Sequence, residues 1–250
     1  GKPTGIDLIG ESAGVLPSRE WKAANSKQPW YPGETVIAGI GQGFWAVTPL
    51  QLGHAIATFA GHGIPYAPRL VMATRDGVNA PLQPLANPPS GPSVIRKPAD
   101  WDAVNLGMER VMYGERGTGR TLVTGFPYRL AGKSGTAERY SRTTNAYDDR
   151  SNLAYLASRN RAWFEVYAPA DNPQIAVAVL LESGAWGASS AGPIARQILD
   201  AWLASHGGVI PDAERLPVSN AAPASAPAEV PNDEQVEDIP AQATSSGDTP

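Results

Sequence analysis

Apolar residues recur at helical spacing in three stretches of the chain. Leu52, Ile56, Phe59 and Ala60 mark one face of a helix with a well-defined start. Thr48 stands at the N-cap, Pro49 at the first helical position and Gln51 three residues after the cap, the pattern of a capping box, and Gly61-His62-Gly63 stops the run. Trp101, Val104, Met108 and Val111 predict a second helix over about 100–112, one face apolar. Ile194, Ile198, Leu199 and Trp202, with Pro193 early, predict a last helix after the glycine-rich loop 183–190.

Between these helices the pattern turns to strands. Residues 128–138 read as extended, and 162–168 and 174–182 as a hairpin joined by Pro169-Ala170-Asp171-Asn172-Pro173. Residues 175–181 are nearly continuously apolar, as expected of a central strand covered on both faces. Residues 66–74 suggest a short strand pair with an Asp76-Gly77 turn, and 81–98 a proline-rich loop. Residues 1–34 mix Gly, Pro, Trp21, Trp30 and Tyr31 with polar residues and read as an irregular connecting segment whose aromatics pack on a body supplied elsewhere. Residues 114–120 read as a turn and 139–161 as a polar run. The predicted class is α/β (α+β), an antiparallel sheet packed by helices, without internal repeats.

Composition changes this picture at the C-terminus. From Pro217 the chain turns to Pro, Ala, Ser and acids, with six acidic residues and no Lys or Arg, so a folded domain over 1–210 followed by a disordered tail over 211–250 is expected. The whole chain holds 20 basic and 24 acidic residues, and since six of the acids lie in that tail, the part before Pro217 has 20 basic against 18 acidic residues and is net positive. The basic residues are scattered, which argues against a nucleic-acid partner. Cysteine is absent, excluding disulfides, thiolate catalysis and cysteine-ligated metals in this chain. No apolar run approaches the length of a membrane span. The chain starts at Gly1 without an initiating Met, so an N-terminal part carrying any membrane anchor is expected upstream.

The candidate chemistry centres on Lys133-Ser134-Gly135-Thr136, at the end of the strand over 128–138. Alternation sends Lys133 and Gly135 to one face and Ser134 and Thr136 to the other. An ammonium, two hydroxyls and a glycine that admits a close backbone form an anion-receiving edge. Taken alone, the four residues read more simply as an edge strand with a solvated lysine than as a site. Other candidates are weaker. Gly39, Gly41 and Gly43 alternate, which is neither a dinucleotide fingerprint nor a phosphate loop, and they read as a tight turn. His54, His62 and His206 are too scattered for a metal site or triad and read as structural. Asp148-Asp149 reads as solvated, and Asp171-Asn172 as turn residues.

Three separated features in order give the central stretch its context: Thr4-Gly5-Ile6-Asp7-Leu8, then Gly41-Gln42-Gly43 before Thr48-Pro49-Leu50-Gln51, then Lys133-Ser134-Gly135-Thr136 followed by a hairpin and a helix. Over residues 1 to about 205 this order resembles the penicillin-binding transpeptidases. Arg19-Glu20-Trp21-Lys22, Pro29-Trp30-Tyr31 and the run over 172–178 are most similar to the elongation-specific class B members of Gram-negative bacteria. The resemblance implies that residues 1–210 are the C-terminal part of a transpeptidase domain, in which Lys133, Ser134 and Thr136 serve catalysis and these three with Gly135 bind substrate. Lys133 would organise charge and protons, the Ser134 and Thr136 hydroxyls would hold the terminal carboxylate of a D-Ala-D-Ala stem or of a β-lactam, and the Thr136 N–H would be an oxyanion donor. It further implies no cofactor or metal, a place on the periplasmic face of the inner membrane through an anchor upstream of Gly1, and partnership with the glycosyltransferase of the rod-shape elongation machinery.

One departure matters. Residues 1–250 contain no Ser-x-x-Lys, and their Ser-x-Asn, Ser158-Arg159-Asn160, follows the Lys-Ser-Gly-Thr strand whereas the family places that motif before it. Both missing motifs are expected upstream of Gly1, and the chain by itself is expected to be inactive. Two rival readings stay open: a septal transpeptidase or β-lactam hydrolase of the same fold, and a non-catalytic module that binds wall peptides or partners.

Overall fold

A computed structural model describes residues 1–138 and 160–216. In chain order the elements are α1 (Arg19–Ser26), α2 (Pro32–Gly39), α3 (Pro49–Ala60), β1 (Ala73–Thr74), β2 (Gln83–Pro84), α4 (Pro98–Tyr113), β3 (Ala131–Glu138), β4 (Asn160–Ala168), β5 (Ile175–Leu181) and α5 (Gly192–Ser205). Strands β3, β4 and β5 form an antiparallel sheet in that spatial order. Among the described residues β3 is therefore one edge of the sheet and β4 its centre.

The unbroken register sorts the strand residues into rows. Ala131–Tyr167–Ala176, Lys133–Glu165–Ala178 and Gly135–Trp163–Leu180 share one face, and Gly132–Val166–Val177, Ser134–Phe164–Val179 and Thr136–Ala162–Leu181 share the other. The second face is the main core, where Phe164, Val166, Val177 and Val179 meet Ala195, Leu199 and Leu203 of α5 with Met112, Leu122, Phe126 and Tyr128. The first face takes α3, whose Ile56, Phe59 and Ala60 pack with Ala131, Tyr167 and Ala176. Small side chains at Ala176 and Ala178 let this helix lie close. A Cβ added at Gly53 would sit 3.8 Å from that of Ala178, ordinary contact.

Local signals explain the helix that borders the candidate site. Thr48 Oγ1 accepts from the Gln51 N–H at 3.1 Å while Gln51 Oε1 accepts from the Thr48 N–H at 2.9 Å, the expected capping box. The Gln51 amide also donates to the carbonyls of Lys2 and Ala13, fixing the N-terminal segment against α3. Asp7 accepts from the N–H groups of Leu70 and Val71, which hold its carboxyl below the usual range. Helix α4 is tied to the sheet by a polar seam: Arg129 pairs with Glu109, Asn105 donates to Glu109 at 3.0 Å, and the Tyr167 hydroxyl donates to Asn105.

Several expectations need correction. Residues 18–39 hold two short helices rather than an irregular segment, the first capped by Ser18 and the second started by Pro32. Eight residues are too few for helical periodicity to stand out among Gly and Pro. Their aromatics are partnered locally, Trp21 tilting on Phe44 and Trp30 donating to Thr35. The small strand pair joins Ala73–Thr74 to Gln83–Pro84, a partner inside the stretch read as loop. In α4 Met108 and Met112 are buried and Val104 is 52 % exposed, and in α5 the buried stripe is Ala195, Leu199 and Leu203, with Ile194 and Ile198 outside it. Strand β5 is covered on both faces but stands at the sheet's other described edge, and β4 takes the centre. Residues 139–159, with Asp148, Asp149, Ser158 and Arg159, lie outside the described residues.

The central strand carries one acid, Glu165, only 7 % exposed. Burial lifts its carboxyl from the ordinary 4.5 to about 7, against the opposing attraction of Lys133. Because the folded value lies above the unfolded one, the folded state binds more protons between those values, so this group's effect on stability is a loss as pH rises from about 4.5 to 7 and none beyond. Glu165→Gln is therefore expected to be more stable than the parent by about 1–3 kcal/mol at pH 8, with most of that gap gone at pH 5, read by urea denaturation at both pH values. In the same assay Leu199→Ala is expected to cost about 2–5 kcal/mol and Ile198→Ala under about 1 kcal/mol, which separates the buried stripe of α5 from its exposed side.

Candidate active site

Lys133, Ser134, Gly135 and Thr136 occupy the middle of β3 in continuous register with β4, so the alternation expected from sequence holds without a bulge. Lys133 is exposed and its ammonium donates to the Ser134 carbonyl at 2.6 Å. Trp163 and Glu165 flank it on the same face, each opposite a residue of the stretch.

The turn at Gly41-Gln42-Gly43 meets this strand from outside the sheet. Both glycines have positive φ, 76° and 81°, and the turn between α2 and α3 delivers Gln42, whose side-chain amide donates to the Thr136 carbonyl at 3.0 Å. That bond fixes which way the backbone points. In an antiparallel strand the N–H and C=O of one residue project to the same side, so a Thr136 carbonyl reached by Gln42 rather than β4 implies that the Thr136 N–H also faces the open edge. Two features about ninety residues apart in sequence thus build one surface.

Each hydroxyl is also oriented. The Gly187 N–H donates to Thr136 Oγ1 at 3.3 Å, leaving the hydroxyl proton of Thr136 free to donate onward. Gly187 opens the π-helical turn Gly187–Ala191 ahead of α5, and only glycine fits: an added Cβ would come within 2.3 Å of the Trp163 carbonyl and 2.5 Å of that of Gly135. Thr118, in the turn after α4, shares a hydrogen bond with Ser134 at 3.1 Å between their Oγ atoms. Sequence pattern gives no sign of either contact. Gly187 sits among other loop glycines, Thr118 reads as turn, and Glu165 reads as one polar position in a strand.

The remaining candidates fall elsewhere. His62 stacks on Trp101 at 4.2 Å, and His206 stacks on Trp202 and bonds its carbonyl. His54 lies in α3 with Nε2 buried and unpartnered, beside an open apolar hollow of about 550 Å³ lined by Val15, Trp45, Leu52 and Phe59. None of residues 133–136 lines that hollow. Asp171 lies in the loop between β4 and β5 and accepts from the N–H of Glu214, a contact with a distant segment rather than a bond within its own turn. Among the described residues no cluster of three or more metal-ligating side chains occurs, and no helix is long and apolar enough to cross a membrane.

The arrangement is an edge that presents a cation, two hydroxyls and an outward N–H. Residues 1–200 match the penicillin binding protein transpeptidase domain. The chain is 40% identical over 206 residues to the peptidoglycan D,D-transpeptidase MrdA of Haemophilus influenzae, covering 81% of this chain and 31% of that protein. It is 38% identical to MrdA of Escherichia coli, with 80% and 31% covered. The chain thus spans about a third of the length of these relatives. Among solved structures it is similar to Pseudomonas aeruginosa penicillin-binding protein 2 in complex with WCK 5153, with a TM-score of 0.65, 41% identity, and 87% of this chain and 43% of that one covered. It is also similar to Helicobacter pylori penicillin-binding protein 2 in complex with MreC, with a TM-score of 0.63, 26% identity, and 84% and 34% covered. The sheet with helices on both faces is thus part of a transpeptidase fold, and the chain belongs to the MrdA-like class B penicillin-binding transpeptidases.

Proposed function

We propose that this chain supplies one wall of the acyl-transfer cleft of an elongation-class peptidoglycan D,D-transpeptidase. The observation that carries the reading is the Gln42 bond to the Thr136 carbonyl, because it turns the Thr136 N–H outward beside Lys133. A donor stem ending in D-Ala-D-Ala lies along this edge. Lys133 and the Ser134 and Thr136 hydroxyls hold its terminal carboxylate, and Gly135 lets the backbones approach. The Thr136 N–H donates to the oxygen of the scissile carbonyl, where negative charge grows as the serine of an upstream Ser-x-x-Lys attacks. The terminal D-Ala leaves with a proton, an acyl-serine remains, and the amine of a neighbouring stem takes the acyl group and restores the serine. A β-lactam offers a carboxylate and a strained carbonyl to the same positions, and its ring opens instead of losing a leaving group.

Activity in this reading belongs to the longer protein that contains the nucleophile. The end of its transpeptidase domain runs past the expected boundary at 210, since Glu214, Arg215 and Leu216 bond to Asp171, Tyr128 and Pro127 of the folded body, and the tail begins after them. The P. aeruginosa relative's complex with WCK 5153 and the H. pylori relative's complex with MreC support a small-molecule ligand and a partner protein for the longer protein. The elongation glycosyltransferase as a partner and an anchor in the inner membrane with the domain on its periplasmic face follow from the family resemblance.

Full-length protein incubated with fluorescent penicillin is expected to carry a covalent label that survives denaturation; its absence would sink the proposal. Lys133→Ala is expected to slow labelling at least about a hundredfold, comparable to the loss of an oxyanion donor. Gln42→Ala removes an orienting bond rather than a reacting group, and a drop of about tenfold in acylation rate with little change in thermal midpoint is expected. Depletion in a rod-shaped host is expected to give round cells; filaments would move the assignment to septal synthesis.

A further inference from the structure

Glu165 is unused in the chemistry above, yet it sits directly opposite Lys133 on the same face of the sheet. On its other side the row ends at Ala178, over which Gly53 of α3 packs. The carboxyl is thus closed in from the β5 side and only 7 % exposed, while its neighbour Lys133 is exposed. Lys133 does not close an ion pair with it but turns to the Ser134 carbonyl. Cross-strand neighbours hold their Cβ atoms about 5 Å apart, close enough for each charge to act on the other.

The geometry points to Glu165 as a positioning residue for the carboxylate end of the donor, acting through Lys133: when ionised it is the counter-charge that weakens the anion-receiving edge, and when protonated it leaves the ammonium uncompensated. This rests on the transpeptidase reading of the site. The charged and titratable groups on β4 and on the elements packed against it are Lys133 and Glu138 on β3, Arg161 and Tyr167 on β4, His54 on α3, Asp100, Asp102, Glu109, Arg110 and Tyr113 on α4, Glu182 beyond β5, and Arg196 and Asp200 on α5. Arg161 bonds Glu182, Arg129 pairs with Glu109, and Arg196 pairs with Asp200, and among the described residues Lys133 is the charge that acts on Glu165. Burial sets the carboxyl to change state near neutrality, at about 7. Donor capture at this edge is therefore stronger on the acid side of neutrality, and selectively so for ligands that bear a carboxylate.

The test uses the full-length protein and two probes, benzylpenicillin and its methyl ester, which lacks the free carboxylate. Acylation rate constants are measured from pH 5.5 to 8.5, and the acid-to-ester ratio cancels every group that acts on the chemical step alone. For the parent protein this ratio is expected to fall by about three- to tenfold through a step near pH 7. For Glu165→Gln it is expected to stay flat at the high, acid-side value, and Glu165→Asp is expected to restore a step. A parent ratio without a step, or a Glu165→Gln ratio that steps as the parent's does, overturns the inference while leaving the transpeptidase reading intact. Absence of acylation of the parent by either probe overturns that reading itself. The parent's own profile decides the matter should Glu165→Gln fail to fold.

Discussion

Strand β4 is enclosed on four sides, by β3 and β5 along its edges and by α3 and α5 over its faces, and the remaining geometry follows from that enclosure. A strand with no free side has no freedom of register, since a slip of one residue would carry Phe164 and Val166 out of the α5 core and drive Trp163 and Glu165 into it. The hydrogen-bonded ladder passes the same constraint to β3. Each of Lys133, Ser134, Gly135 and Thr136 is thereby assigned a face and a height to within the tolerance of a packed core.

Among the described residues β3 keeps one unpaired side, and a bare edge usually invites unwanted strand pairing. Here it is partly occupied by Gln42 and bordered by the turns at Thr118 and Gly187. These contacts satisfy what would otherwise be loose polar groups and pre-orient the hydroxyls, so that a ligand meets fixed donors rather than rotating ones. The cost of building a polar edge on a buried sheet is visible one strand inward, where Glu165 sits in apolar surroundings with its carboxyl shifted toward the neutral form.

Much of the architecture was legible from the chain. The capping box at Thr48, the hairpin over 160–181 and the alternation at Lys133 are local signals backed by local chemistry, and each appears where the pattern puts it. Local signals failed where burial depends on a partner. Val104 and Ile198 look like core residues by spacing, yet the sheet meets α4 and α5 along Met108–Met112 and Ala195–Leu199–Leu203. The near-continuous apolar run of β5 reflects helices on both faces, which periodicity cannot distinguish from a central place in the sheet.

Sequence by itself determined the fold class, the family resemblance and the placing of Lys133, Ser134, Gly135 and Thr136 on one strand with alternating faces, because residue type and order carry those directly. Only the tertiary structure decided that Gln42 touches Thr136, that Gly187 and Thr118 orient the two hydroxyls, and that a buried acid faces Lys133. Those contacts join positions 16 to 94 residues apart, and they exist because the register of a sheet and the approach of packed helices set them. No periodicity along one stretch of chain encodes a distance across another.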